Sequence, residues 1–241
     1  MPPSAQSGLR FLVRVAVELT GRSELLVSPG IPPDKWRLFP DMTGHVLMIG
    51  WRLAGGRSVD DGVPPEVAPV LAQALTDLGG VSFFEGSAPN RTLDDRVSPI
   101  RPPGFAGRVR AACAGMPSEV YLVSTRRPEL VASAFEASYF SWVMQGQAIL
   151  VWPPDRKPLE LEWSQMMSIT GGETSALEAA LSAWGAKAVV RPGVDGDVAG
   201  LLATDQIAKE RALSSLRHAA SSHGFGLRVL TESEFSEALA E

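Results

Sequence analysis

A single cysteine, Cys113, stands among 241 residues. No internal disulfide can form, which fits a reducing compartment. The three histidines, His45, His218 and His223, are scattered. With one thiol they make no zinc-type Cys/His cluster, so neither a metal nor a cofactor is expected. No run approaches the roughly 18 apolar residues of a membrane helix. The opening MPPSAQSG has no apolar signal core. The expectation is a soluble, cytoplasmic protein with no membrane partner. Positive charge is also short: 22 Lys+Arg face 27 Asp+Glu, a net −5. Residues 164–241 carry six basic and ten acidic side chains, and the rest of the chain sixteen and seventeen. Neither part has the basic excess that drives non-specific duplex binding, so DNA is a possible partner that charge does not favour. Phosphate-loop, dinucleotide-binding and G-x-S-x-G motifs are missing too, which leaves no sign of nucleotide binding or of a nucleophile elbow.

What is present is a chain with 45% apolar residues, ample for a packed core. LRFLVRVAVEL alternates, placing Phe11, Val13, Val15 and Val17 on one face of a half-buried strand. ELLVS and HVLMIGWRLAGG read as two further strands. PPEVAPVLAQALTDLGG reads as a helix. Proline opens it, Gly79 follows its end, and Val67, Leu71, Leu75 and Leu78 form a stripe at helical spacing. VSFFEG is a strand. Residues 87–107 collect the breakers and read as a long loop or linker. RVRAACAG is a weak helix, EVYLVST a strand, RPELVASAFEASYFSWVMQG a helix and AILVWPP a strand. The break at PPDRKPLE divides an α+β domain of unknown fold, 1–158, from a second domain, 164–241. No internal repeat is visible.

In the second domain QMMSIT reads as a strand and TSALEAALSAWG as a helix ended by Gly185. AKAVVRPG and VAGLLATD are strands. QIAKERALSSLRHAASSHG is a long helix capped by Asp205, GLRVLT a strand and ESEFSEALAE a closing helix. The alternation implies an α/β architecture with a mostly parallel sheet. Four pieces in this order, SITGG, WGAKAVV, SSLRHA and VLTESEFSEAL, resemble the BRCT domain of the bacterial DNA-ligase type. The resemblance covers 164–241. It implies a four-stranded parallel sheet flanked by helices, a docking role toward a protein partner and a link to DNA replication or repair. It also implies a phosphate pocket. The hydroxyl would come from Thr170 and the backbone N–H from Gly171, beside Gly172. The pocket's lysine position falls on Ser215, which has no charge, and Lys209 and Arg211 lie upstream.

Other chemistry-bearing residues have plainer readings. Asp94 and Asp95, beside Arg91 and Arg96, read as a solvated loop rather than a carboxylate pair. Cys113, in AACAG, reads as a buried, inert thiol. Trp36, in the proline-bounded PPDKWRLFP, is the tryptophan best placed for a partner contact. The leading expectation is a non-enzymatic interaction protein. One alternative is an enzyme whose N-terminal part uses Asp94, Asp95, Arg91 and His45. The other is an acidic inhibitor or immunity protein with a patch around Asp195, Asp197 and the Glu-rich C-terminus.

Overall fold

The structure is a computed structural model. It describes residues 21–37, 39, 42–54, 63–85, 96–113, 119–137, 149–153, 161–170, 185–192 and 198–240. Runs rich in Val, Leu, Ile and Phe form strands, because branched and aromatic side chains fit a pleated surface. In chain order the elements are β1 (Glu24–Ser28), β2 (Val46–Arg52), α1 (Ala68–Leu78), β3 (Gly80–Glu85) and β4 (Arg96–Ile100). Then come α2 (Gly104–Cys113), β5 (Val120–Thr125), α3 (Pro128–Ala137), β6 (Ile149–Trp152) and α4 (Trp163–Thr170). The chain continues with β7 (Ala188–Pro192), β8 (Val198–Ala203), α5 (Gln206–Ser222), β9 (Gly226–Val229) and α6 (Glu232–Ala240).

The strands form one sheet in the order β4-β5-β3-β6-β7-β8-β2-β1-β9. Every pairing is antiparallel except β1 with β9. The architecture is therefore mixed α/β, but the four-stranded parallel sheet expected over 164–241 is not what these strands make. β7 pairs with β6, β8 with β2, and β9 with β1. The expected boundary between 1–158 and 164–241 does not separate two sheets. Long-range pairing of this kind leaves no local trace, and reading elements in order cannot find it.

Alternation along each strand sends side chains to two cores. One face holds Leu25, Val27, Leu47 and Ile49 with helices α1, α3 and α5. The other holds Leu26, Val46 and Met48 with Phe39, Met42, α4 and α6. QMMSIT, expected as a strand, belongs to α4. Its buried residues Met166 and Ile169 are three apart, a helical spacing that a short apolar run disguises. Part of the expected 87–107 loop is β4, an edge strand that tolerates Pro99 because one side of its backbone needs no ladder partner. The strand expected at 9–19 and the helix expected at 174–184 lie outside the described residues.

A local two-fold relation organises the sheet. β2 and β8 run antiparallel, and Met48 faces Gly200 at their centre. A two-fold normal to the sheet at that point exchanges the β1–β2 hairpin with the β7–β8 hairpin. Leu25 and Val27 then correspond to Ala188 and Val190, and Leu47 and Ile49 to Ala199 and Leu201, all on the same face. Each hairpin is followed by a helix on that face, α1 or α5, and then by β3 or β9. β9 lies beside β1, and β3 would lie beside β7 if β6 were not inserted between them. The two β-β-α-β units are a structural repeat, although none is visible in the sequence. The Ser215 hydroxyl joins their helices by donating to the Ala74 carbonyl at 2.7 Å.

Candidate functional site

The helix α2 departs from the pattern of the other described α-helices. Its sequence, GFAGRVRAAC, follows Pro102-Pro103, and Gly104 takes the left-handed backbone (φ 63°) at the turn into the helix. Only Ala111 of its ten residues is buried. At 100° per residue, Gly107 and Ala111 form the inner side. Phe105, Val109 and Ala112 then point away from the protein. The apolar stripe therefore faces solvent: Phe105 is 76% exposed and Val109 43%. Single exposed apolar residues are ordinary on protein surfaces. A phenylalanine and a valine at i and i+4, on the outward side of a helix with one buried residue, form a small apolar ridge.

Charge brackets that ridge. Arg108 lies on one flank, and Arg110 with Cys113 on the other. Arg108 forms no ion pair with a described residue, and the Arg110 guanidinium only reaches back to the Ala106 carbonyl at 3.4 Å. At the foot of the excursion, Arg101 Nε donates to Glu119 Oε2 at 2.5 Å, and the Tyr121 hydroxyl donates to the same carboxylate. These contacts tie the residue after β4 to the residue before β5. The Tyr121 bond first and Arg101 second hold the Glu119 carboxyl below its usual value. The same bond to Glu119 raises the Arg101 guanidinium. Residues 96–137 carry six arginines and three glutamates, a net +3 in a chain of net −5, which leaves −8 elsewhere. The exposed helix thus stands on the basic part of an acidic protein.

The residues singled out from sequence do not gather. Thr170 ends α4, on one face of the sheet, whereas Lys209, Arg211 and Ser215 belong to α5 on the other. Gly171 and Gly172 lie outside the described residues. Lys209 Nζ donates to the Pro29 carbonyl at 2.6 Å, and partial burial lowers its pKa. Ser215 is occupied with Ala74. Trp36 is 61% exposed, and its indole N–H donates to the Ile31 carbonyl at 2.9 Å. Cys113, expected to be buried, is exposed on α2. Of the alternative catalytic set, Arg91, Asp94 and Asp95 lie outside the described residues. His45 stands at the entrance to β2, where its carbonyl accepts the Ala203 N–H at 2.9 Å. Asp195 and Asp197 are also outside them. Among the described residues no group of three or more His, Cys, Asp or Glu could hold a metal, and no helix is long and apolar enough to cross a membrane.

Comparison with protein-family models, curated proteins and solved structures gives no match. Sequence reasoning passed over α2 because RVRAACAG looks like a weak helix. The available signal was the i, i+4 spacing of Phe105 and Val109 next to two arginines. That pattern is amphipathic, but it cannot say which side faces the core.

Proposed function

We propose that this protein is a non-enzymatic interaction protein that docks a protein partner through α2. Phe105 and Val109 would enter an apolar groove, and Arg108 and Arg110 would meet its acidic rim. The observation that carries the reading is the exposure of Phe105 on a helix with a single buried residue. An amphipathic helix laid into a groove is a recurrent mode of recognition, with anchors at i and i+4. Burying the exposed part of one Phe contributes about 2 kcal/mol. Flanking arginines add orientation and encounter rate more than affinity. The BRCT-like docking module over 164–241, with its link to DNA replication or repair, rests on motif order. The strand pairing lends it no support, so the docking chemistry is assigned to α2 instead.

The test places a photo-crosslinking phenylalanine analogue at position 105 in full-length protein expressed in its own cells. One discrete crosslinked protein is expected. Purified, that protein should bind the wild type about 30-fold more tightly than it binds Phe105→Ala, the equivalent of about 2 kcal/mol. The two chains should melt alike, since Phe105 supports no core. Absence of a discrete product, or equal affinity for Phe105→Ala, would refute docking through this helix.

A further inference from the structure

A different region carries a second site. A pocket of about 300 Å³ opens where several elements end. Leu78 at the end of α1, Pro153 after β6 and Ala188 in β7 give it apolar walls. Ile207 and Ala208, from the first turn of α5, complete them. Three charged side chains share its rim: Lys187, Asp205 and Arg211.

The carboxylate is already engaged. Asp205 Oδ1 accepts the Ala208 N–H at 2.7 Å and caps α5, and Oδ2 accepts the Thr204 hydroxyl at 3.4 Å. The backbone bond from Ala208 is the first cause that holds its carboxyl below the usual range. Its charge is answered by the first N–H groups of the helix. The two cations differ. Neither Lys187 nor Arg211 forms an ion pair with a described residue. Lys187 is fixed at the rim by its backbone: its N–H donates to the Val151 carbonyl at 2.6 Å, and its carbonyl accepts the Thr204 N–H at 3.2 Å. Arg211 follows Ile207 by four residues and Ala208 by three, so all three share one face of α5. Two cations without ion pairs to described residues therefore line an apolar pocket, beside one carboxylate that the start of α5 holds in its charged form.

We propose that this pocket binds a small organic monoanion with an apolar body, by class an aromatic or branched carboxylate. The apolar part would fill the space between Leu78, Pro153 and Ala188, and the carboxylate would lie between Lys187 and Arg211. The volume sits at the small end of ligand pockets, which run from about 300 to 1,000 Å³, and suits one ring system. Asp205 on the same rim disfavours a dianion such as phosphate, since the second negative charge would face it. The site is independent of docking through α2, and neither reading depends on the other.

The test is isothermal titration of the full-length chain with 2-naphthoate, 2-naphthamide and inorganic phosphate. Saturable one-to-one binding of the carboxylate is expected, at least about tenfold tighter than the neutral amide, with no heat from phosphate. Arg211→Gln and Lys187→Gln should each weaken naphthoate about tenfold, the size of one charge-assisted contact, with melting curves unchanged. Ala208→Phe, which fills the pocket from the α5 side, should remove binding. Equal affinity for acid and amide, or unchanged naphthoate affinity in both charge variants, would overturn the assignment. So would naphthoate binding that survives Ala208→Phe in a folded chain, or no binding of naphthoate to the wild type.

Discussion

Two neighbouring glycines should respond in opposite directions to the same change. Gly79 ends α1, and its N–H donates to the Leu75 carbonyl at 3.3 Å. A Cβ at position 79 would lie 1.8 Å from the Trp152 carbonyl oxygen, where real Cβ atoms keep at least 3.0 Å. The obstacle is backbone, so no side-chain rotation relieves it. Trp152 is also pinned. It faces Gly80 in the β3–β6 ladder, and its indole N–H donates to the buried Ser82 hydroxyl at 2.7 Å. Moving β6 aside costs packing, about 1–3 kcal/mol for an overfilled site. A weakened ladder bond adds about 1 kcal/mol. Against this, alanine lowers the entropy of the unfolded chain, a gain of about 0.4–1 kcal/mol. The cost wins, and Gly79→Ala is expected to destabilise by about 2–3 kcal/mol. At Gly80 a Cβ meets nothing within 4 Å, so only the gain remains. Gly80→Ala should stabilise by a few tenths to about 1 kcal/mol. For a chain of this length the melting midpoints should then fall by about 5–10 °C and rise by about 1–3 °C respectively. Urea unfolding followed by tryptophan fluorescence measures both. If Gly79→Ala is as stable as the wild type, α1 does not close against β6 as described.

Three further outcomes are expected. The fragment 164–241 should show no cooperative thermal unfolding, because it retains the β7–β8 pair but loses the β6, β2 and β1 neighbours of its strands, and a lone hairpin is marginal in water; a sharp, reversible melt would contradict the single sheet. Ser82→Ala should cost about 1–3 kcal/mol, since the Ser82 hydroxyl accepts from Trp152 and bonds the Ser124 hydroxyl at 2.7 Å in a buried setting, and both partners would be left unsatisfied; a loss of under about 0.5 kcal/mol in urea would mean that other groups satisfy them. Glu234 has its carboxyl held below 4.5, first by the Thr231 backbone N–H and then by the Thr231 hydroxyl, as the N3 member of a capping box on α6. A depressed folded value means its contribution is present above the unfolded pKa and lost as pH falls through the folded one. Thr231→Ala should thus be less stable than wild type near pH 7, and the gap should narrow in acid as the Glu234 carboxylate takes up its proton, leaving the part due to the Glu234 N–H that the Thr231 hydroxyl accepts; a gap that stays constant with pH would mean that the Thr231 hydroxyl does not support the Glu234 carboxylate.

Much of the local structure was legible, because it is written in spacing and in terminal residues. The stripe Val67, Leu71, Leu75 and the stop at Gly79 define α1, and Asp205 caps α5 as its position indicated. The strands ELLVS, VSFFEG, EVYLVST and AILVWPP fall where their apolar runs do. The sheet itself was not legible. An antiparallel and a parallel partner ask for the same apolar alternation, so VAGLLA could not announce that it lies between β7 and β2. Which of the candidate residues lie on one face was not legible for a related reason. Thr170, Lys209 and Ser215 were grouped by motif order, yet which face of the sheet a helix covers depends on crossovers that the order does not encode. Phe105 was missed because a pattern of apolar and polar residues does not distinguish a face turned to the core from one turned to a partner.

The internal two-fold shows how a repeat can be plain in register and silent in sequence. What it preserves is inward alternation: Leu25 and Val27 against Ala188 and Val190, Leu47 and Ile49 against Ala199 and Leu201. Size and identity vary freely under that rule, because a core constrains total volume more than any one side chain. The relation also accounts for where the pocket lies. On one side of the axis β9 pairs directly with β1. Gly226 faces Glu24 there, Arg228 reaches Glu24 at 3.6 Å, and Arg22 Nε donates to the Gly224 carbonyl at 2.9 Å. On the other side β6 separates β3 from β7 by one extra strand, a displacement of about 4.8 Å. The residue that corresponds to Glu24 there is Lys187, which has no counterpart of Arg228 beside it. The end of α1 is carried away from the start of β7 by the same step, and the space between Leu78, Pro153 and Ala188 is the result. An inserted strand that breaks the symmetry of two similar units has left one of them with a lined cavity, and a lysine at its rim whose charge acts on the Asp205 carboxylate.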